Sequence, residues 1–298
     1  MKHRYAGTDK WYKGNTHIHT TLSDGGKSPG EAVALYRTAG YDFIAITDHW
    51  HAFHLDQDLG EIVSSSRDML VLPGIEIDGK DELGHYYHVV ALGDFEQMEL
   101  SENLDSSIAR LVGQNAYLIL AHPYWSGNRM EDVRRYPFHA LEIYNHVAAW
   151  LNGKSLALPY WDDTLRHRDD LSGIASDDAH LLPQHPGWNG GWIMVQADGL
   201  SQASILQALR AGTFYATTGP SFHRIHTEGN RITCKTTPIK QAWLVGEGYF
   251  GTRAVAAEGQ LLSDFSFTIE PGSQLARSSY VRLEIEDEQG KRAWTNPL

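Results

Sequence analysis

Two histidines near the start of the chain have the spacing of metal ligands. His17 and His19 lie in the segment Asn-Thr-His-Ile-His-Thr. Residues two apart on a strand point to the same face, so both imidazoles can reach one ion. Zinc and iron accept imidazole readily. By itself this spacing is weak evidence, because two histidines on a solvated strand face are the more common explanation, so it needs support from the rest of the chain.

A second candidate group follows the apolar segment 43–46, where Thr-Asp-His brings Asp48 and His49 to the end of a predicted strand. Barrels of alternating strands and helices carry their active groups at the carboxyl ends of the strands. Asp48 can orient His49 or another ligand from outside the metal's own shell, as metal-bound histidines usually require. The alternative is a helix cap formed by Thr47 or Asp48.

Four further apolar segments repeat this arrangement, each carrying an ionisable side chain within the segment or directly after it. The side chains are those of Glu76, His88, His122, Asp178 and His180. Any one of them is typical of a hydrogen-bonded core histidine or a capping carboxylate. Burying so many ionisable groups together is costly unless they coordinate cations. Jointly they predict a metal centre built from six strand ends.

The elements that would position these residues can be read from the hydrophobic pattern. Short segments rich in Ile, Val and Leu predict strands at 15–19, 42–47, 70–75, 86–92, 117–121, 141–144, 171–175 and 192–196. Longer segments between them predict helices at 29–39, 57–67, 102–114, 154–169 and 200–211. This alternation is typical of an α/β domain with a mainly parallel sheet.

The pattern changes after the Gly-Pro at 219–220, where short alternating stretches are separated by turn residues. We therefore predict two domains, an α/β domain over residues 1–218 and a small all-β, sandwich-like domain over 219–298. We expect the second domain to be dispensable for metal binding.

Composition narrows the classes of function. With 25 basic and 37 acidic residues in 298, the net charge of −12 argues against extended nucleic acid and anionic membranes as partners. The single cysteine, Cys234, excludes an internal disulfide and a cysteine zinc cage. No signal peptide is recognised, so we expect a cytoplasmic protein. The oligomeric state is not predicted.

Taken in order, the motifs HIH, SDGG, TDH, GIE, HVVALG, AHP and SDDAH resemble the polymerase and histidinol phosphatase (PHP) family of metal-dependent phosphoesterases. The resemblance covers residues 14–216 and implies a distorted (β/α)7 barrel with two or three divalent ions, which would be zinc, manganese or iron. The segment GTFYATTGP and the tail around Trp-Asn-Pro are similar to the carbaryl-hydrolase-like branch. That branch hydrolyses aryl carbamates or carboxylic esters.

Carried over by position, the resemblance implies nine metal ligands and no organic cofactor. They are His17, His19 and Asp178 for the first ion, Glu76 as the bridge to the second, His88 and His122 for the second, and Asp24, His49 and His180 for the third. Many members have histidine in place of Asp24, which leaves the occupancy of the third site open. His85 competes with His88 as a ligand, and we choose His88 because it lies inside the apolar segment.

Three functions remain open at this point. The first is a phosphoesterase of small phosphate esters that uses a hydroxide bridging the metal ions. The second is a carboxylic ester or carbamate hydrolase with the same metals, and the third is a metal-stabilised module without catalysis. A Ser-His-Asp triad is the weaker alternative, because the sequence lacks Gly-x-Ser-x-Gly.

Other residues are candidates for contacts with a substrate. A phosphate group is usually also bound by an arginine or lysine side chain, and Arg129 is the candidate for this contact. Trp50 and Trp125 either wall the pocket or pack at the barrel rim. A proton donor to the leaving group could come from one of the remaining histidines, His51, His54, His146 or His185.

Overall fold

The structure is a computed structural model that describes residues 5, 10–59, 69–100, 103–185 and 187–298. The first part of the chain contains β1 (Trp11–Asn15), α1 (Pro29–Thr38), β2 (Phe43–Ile46), β3 (Leu70–Lys80), β4 (Tyr86–Leu92), α2 (Leu104–Gly113), β5 (Tyr117–Leu120), α3 (Pro123–Ser126), β6 (Ala140–Asn145), α4 (His146–Asn152), α5 (Leu158–Leu165), β7 (Ser172–Ser176), β8 (Trp192–Gln196), α6 (Gln202–Ala211) and β9 (Phe214–Thr217). The remainder contains β10 (Phe222–Glu228), β11 (Arg231–Ile239), β12 (Gln241–Gly246), β13 (Gly251–Val255), β14 (Leu262–Thr268), β15 (Val281–Glu286) and β16 (Arg292–Thr295). In this described part, no helix is both long and apolar enough to cross a membrane.

The expected elements are mostly present, with informative shifts. The first strand was expected at 15–19 but ends at Asn15, because the backbone leaves the strand where His17 and His19 turn into the site. β3 runs on to Lys80, well past the expected end. The helix expected at 57–67 is a π-helical turn over Leu55–Leu59, and residues 60–67 lie outside the described part. α1 begins as predicted, with Ser28 and Glu31 forming a capping box.

The mixed α/β class is confirmed, but the expected closed (β/α)7 barrel is not. The larger sheet has thirteen strands in the order β13-β12-β15-β16-β9-β8-β1-β2-β3-β4-β5-β6-β7. β1 pairs with the antiparallel strand β8, and the sheet then continues into C-terminal strands instead of returning to β7. Among the described residues, the segments that follow β1 and β7 are joined by an isolated bridge between Ile18 and Ala179 and by a hydrogen bond from the Gly26 amide to the His180 carbonyl, and not by a continuous strand pairing. The sheet is therefore open.

Strand direction explains why the candidate ligands meet at one edge. β1, β2 and β3 are parallel to one another, as are β5, β6 and β7, so their carboxyl ends share an edge. β4 runs antiparallel to both β3 and β5. Its amino end therefore lies at the same edge, which is where His88, its third residue, is found.

The central strands are covered on both faces, as their continuous apolar sequence predicts. In β2, Ile44 and Ile46 pack against α1, whereas Phe43 and Ala45 face a second cluster on the other side of the sheet. Gly14 in β1 lies under the Phe43 ring, and a Cβ there would be 1.9 Å from the ring. Close packing thus fixes β1 against β2 directly before the first two candidate ligands.

The C-terminal part adds strands to both sides of a shared core. β16 pairs with β9 and β15, so the larger sheet runs across the expected boundary at 218/219. A second sheet of β10, β11 and β14 packs against β12 and β15 through apolar residues such as Ile225, Leu244 and Leu283. The all-β character of this part agrees with the prediction, while the two-domain division stays a prediction.

Asn296 joins three separate segments of the chain. Its Oδ1 accepts a hydrogen bond from the Gly173 amide of β7 at 2.8 Å, and its Nδ2 donates to the carbonyls of Phe214 at 3.0 Å and Gly212 at 3.3 Å. The side chain is fully buried. The Trp-Asn-Pro tail thus acts in packing.

We expect Asn296→Ala to lower the free energy of unfolding by about 3 kcal/mol, because it leaves several buried backbone groups without partners. Chemical denaturation followed by circular dichroism measures this change. Gln289→Ala, at an exposed turn, is the control and is expected to change stability by less than about 0.5 kcal/mol. Equal stability of the two variants would contradict the structural role assigned to Asn296.

Candidate metal centre

Four buried side chains converge where β1 and β7 end, next to β3. Nε2 of His17 lies 3.1 Å from Nε2 of His19, 3.1 Å from Oε2 of Glu76 and 3.3 Å from Oδ1 of Asp178. Nε2 of His19 also lies 3.1 Å from each of these two carboxylate oxygens. Two imidazole nitrogens and two carboxylate oxygens at one point form a donor set typical of zinc, iron or manganese.

A second group shares Glu76 with the first. Oε1 of Glu76 lies 2.8 Å from Nδ1 of His88 and 3.6 Å from Nε2 of His122. His49 approaches the other oxygen of Glu76, with its Nε2 at 3.4 Å. This places the Glu76 carboxylate between the two groups, in the position of a bridging ligand. His85 instead contacts Asp132 at 3.0 Å, so the structure brings His88 to the site and His85 elsewhere.

A third group forms at the more open side. Nε2 of His180 lies 3.2 Å from Oδ2 of Asp24, and Nδ1 of His19 lies 3.6 Å from Oδ1 of the same carboxylate. The His19 ring is stacked between those of His49 and His180, with centroids at 4.6 and 4.4 Å. Asp24 is 54% exposed on its side chain, unlike the buried carboxylates of the other groups.

All nine expected ligand residues are thus brought together. Within each of three groups, the ligand atoms lie within 4.8 Å of one another: His17, His19, Glu76 and Asp178; His49, Glu76 and His88; and His19, Asp24, His49 and His180. His122 adjoins the first two groups. His49, expected at the third ion only, falls in two groups, and the assignment of ligands to individual ions stays a prediction.

The electrostatics of the cluster fit bound cations. Burial alone would lower the pKa of His19, but hydrogen bonds to Asp178 and Glu76 raise it to about 10. Despite burial, the neighbouring imidazoles hold the pKa of Glu76 well below its usual range. Nδ1 of His19 is buried with no hydrogen-bond partner in the described structure. A divalent cation satisfies such nitrogens and carboxylates together, because it takes the place that protons would otherwise fill.

Comparisons with known proteins bear on the fold. No protein-family model and no curated protein matches this sequence. Among solved structures, a two-domain protein from Bacteroides vulgatus that contains a predicted PHP-like metal-dependent phosphoesterase is similar over 97% of this chain and 95% of its own, with a TM-score of 0.56 and 16% identity. The chain has a PHP-like fold.

Two further structures are similar over smaller parts of the chain. A proposed metal-dependent phosphoesterase from Bifidobacterium adolescentis has a TM-score of 0.42 and 13% identity over 57% of this chain and 89% of its own. An amidohydrolase from Chromobacterium violaceum, solved with sulfate and without metal, has a TM-score of 0.43 and 15% identity over 66% of this chain and 96% of its own. The assignment of the PHP-like fold rests on the first structure alone.

Asp48 acts on the loop that follows His19 and not on His49. Its Oδ1 accepts hydrogen bonds from the Thr20 amide and the Ser23 hydroxyl at 2.7 and 2.6 Å, and its Oδ2 accepts one from the Thr20 hydroxyl at 2.7 Å. It therefore fixes the loop between His19 and Asp24. The carboxylate beside Nδ1 of His49 is Asp78, at 3.5 Å. Contact with His49 lowers the pKa of Asp78 to about 2.

Two supporting residues were missed by sequence reasoning. Glu142 in β6 is buried and lies 2.8 Å from Nδ1 of His17, and Asn145 donates to Oδ2 of Asp178 at 3.2 Å. The signal was present, because Glu142 is a carboxylate inside an apolar strand segment. It was passed over because it lies within the strand and not at its end.

A cavity of about 300 Å³ opens over the ligands. Its apolar side is formed by Trp125, Val147, Ala148, Leu151 and Leu182. The Trp125 ring packs edge-on against the ligand imidazoles. Within the described part, no lysine or arginine lines this cavity.

The other candidate residues divide between the cavity and its surroundings. Trp50 donates to Asp78 at 3.1 Å and packs outside the cavity lining, so Trp125 alone of the two tryptophans walls the pocket. Of the four remaining histidines, His185 is the one that lines the cavity. The Arg129 side chain is 64% exposed, lies 3.8 Å from Glu131 and does not line the cavity.

We therefore expect Arg129→Ala to leave kcat/KM for a phosphate ester within about twofold of the wild-type value, since its exposed guanidinium pairs with a surface carboxylate and lies away from the cavity. Steady-state kinetics with p-nitrophenyl phosphate measure this. A rise in KM of tenfold or more would restore Arg129 as a phosphate contact.

Proposed function

We propose that this chain is a metal-dependent hydrolase of ester bonds and that its substrates are small phosphate esters. The observation that carries the proposal is the convergence of nine His, Asp and Glu side chains, with Glu76 shared between two groups. When bound there, two divalent cations would generate a nucleophile from water near neutral pH and polarise the ester under attack. No serine or cysteine nucleophile is needed.

The chain's own residues would hold this arrangement and shape the space above it. Nδ1 of His17 is hydrogen-bonded to Glu142, and Nδ1 of His180 is hydrogen-bonded to the Asp178 carbonyl. In both residues Nε2 is therefore the nitrogen directed at the ligand groups. Trp125 and Leu151 line the cavity and would exclude water from one side of a bound substrate. Together these residues would preorganise the site and position the scissile bond.

Hydrolysis of a carboxylic ester or carbamate is a second candidate that one observation favours. The cavity side opposite the ligands is apolar and carries no basic residue within the described part. A phosphate dianion ordinarily favours an arginine or lysine clamp, whereas an uncharged ester does not. The cations themselves are the largest positive charges in such a site, so a phosphate substrate remains our first choice.

Assays of metal-loaded protein on p-nitrophenyl phosphate, bis-p-nitrophenyl phosphate and p-nitrophenyl acetate separate the candidates. We expect turnover of one of the two phosphate esters and little turnover of the acetate. Turnover of the acetate alone would replace the phosphoesterase by the carboxylic ester hydrolase. Stable metal binding without turnover of any of the three would favour the non-catalytic module.

A further inference from the structure

The buried carboxylate of Glu142 contacts parts of both ligand groups. Its Oε1 accepts hydrogen bonds from Nδ1 of His17 at 2.8 Å and from the Ser176 hydroxyl. Its Oε2 accepts hydrogen bonds from the His122 amide and from Nδ2 of Asn145, both at 2.9 Å. The side chain is 1% exposed, so these four donors take the place of water around it.

The contact with His17 sets the state of that ring. An imidazole that donates from Nδ1 to a carboxylate presents a lone pair at Nε2. In this structure, that Nε2 lies at the meeting point of Glu76 and Asp178, at 3.1 and 3.3 Å. Glu142 therefore orients the first group through His17.

The contact with His122 acts on the backbone. His122 has φ of 26°, outside the regions that a non-glycine residue normally adopts. Such a conformation persists only when neighbouring contacts hold it. The bond from the His122 amide to Glu142 is one such contact, and it leaves Nε2 of His122 3.6 Å from Glu76 and from Asp178.

Asn145 completes the connection. Its Nδ2 donates both to Glu142 and to Oδ2 of Asp178, at 2.9 and 3.2 Å. Its Oδ1 is fixed by capping α4 through the Ala148 amide at 2.8 Å. A single buried network thus reaches a ligand of the first group, a ligand of the second, and the aspartate next to both.

We infer that Glu142 is a positioning residue that couples the two metal sites, so that its loss weakens both together. The inference rests on the proposed metal-dependent function. It goes beyond that function because it assigns the coupling to a residue that is not a ligand.

Glu142→Gln tests the coupling, because the amide has nearly the same shape but cannot accept all four hydrogen bonds. We expect apparent zinc affinity to fall about 10- to 100-fold at both sites, measured by calorimetric titration of metal-free protein. Cobalt(II) absorption spectra check whether the ligand geometry changes at both sites. Glu284→Gln, a buried carboxylate in β15 bonded to Arg282, is the matched control and is expected to bind zinc as the wild type does.

A second variant guards against loss of folding. Asn145→Ser keeps a good helix cap but removes the amide that joins Glu142 to Asp178. We expect it to weaken zinc binding at both sites, with a smaller effect than Glu142→Gln. The coupling is overturned if either variant loses affinity at one site only, or if Glu142→Gln binds zinc normally.

These titrations require no substrate. If the wild type binds zinc but hydrolyses no ester, the proposed function fails while the coupling is still decided. If the wild type hydrolyses esters and Glu142→Gln retains full zinc affinity, the coupling fails while the proposed function stands.

Discussion

An Asp178→Ala variant is expected to lose turnover by about 1000-fold or more on whichever ester proves to be the substrate. Oδ1 of Asp178 lies 3.3 Å from Nε2 of His17 and 3.1 Å from Nε2 of His19, and its Oδ2 lies 3.6 Å from Nε2 of His122. Removing it deletes a ligand next to both proposed ions, and each bound cation contributes several kcal/mol of transition-state stabilisation. His17→Ala removes a ligand of the first group and is expected to act in the same direction.

Metal content by elemental analysis is measured beside the kinetics for both variants. Asp264→Ala, at a carboxylate 70% exposed on β14, is the control and is expected to keep both metal and turnover. Undiminished metal in Asp178→Ala and His17→Ala would contradict the ligand assignment.

Truncation at Gly219 is expected to abolish cooperative folding and, with it, metal binding. This reverses the expectation from sequence that the C-terminal part is dispensable. The truncated chain loses β16, the pairing partner of β9, and Trp294, which is 2% exposed in the core that also contains Trp161. It also loses Arg282, whose buried guanidinium pairs with Asp162 in α5.

Thermal unfolding followed by circular dichroism, together with metal analysis of the soluble fraction, tests this expectation. Adding residues 219–298 as a separate fragment is expected to restore some structure, since the missing contacts are non-covalent. The control is a full-length Tyr249→Ala variant, which changes a side chain that is 82% exposed in the C-terminal part. This variant keeps the pairing of β16 with β9 and is expected to unfold as the wild type does. A truncated chain that melts cooperatively and binds metal would support an independent first domain.

The candidate ligands could be predicted because their signal is local. All except Asp24 are ionisable residues within or just after a short predicted strand, and parallel strands bring their carboxyl ends to one edge. Asp24 lies in a loop and was implied by the family resemblance alone. The selection of His88 over His85 followed the same rule. The rule holds for His88 even though β4 is antiparallel, because this residue lies at the amino end of its strand.

The rest depends on contacts between distant segments, which local pattern does not encode. The sheet is open because β8 and β9 lead from β1 into C-terminal strands, and nothing in the sequence of β1 indicates that partner. Arg129 follows a ligand motif, yet its side chain points to Glu131 and solvent. The roles of Asp78 and Glu142 follow from which histidines they face, and that is set only by the assembled sheet.

The position of Asn296 has a consequence for the order of events during synthesis. When the ribosome has made residues 1–218, all nine candidate ligands have been synthesised, but the side chain that joins β7 to β9 has not. Pairings of such long sequence separation form late. We therefore expect the histidines and carboxylates of a nascent chain to be present before the sheet fixes their relative positions. Tight binding of metal ions is expected only after residue 296 has joined the sheet.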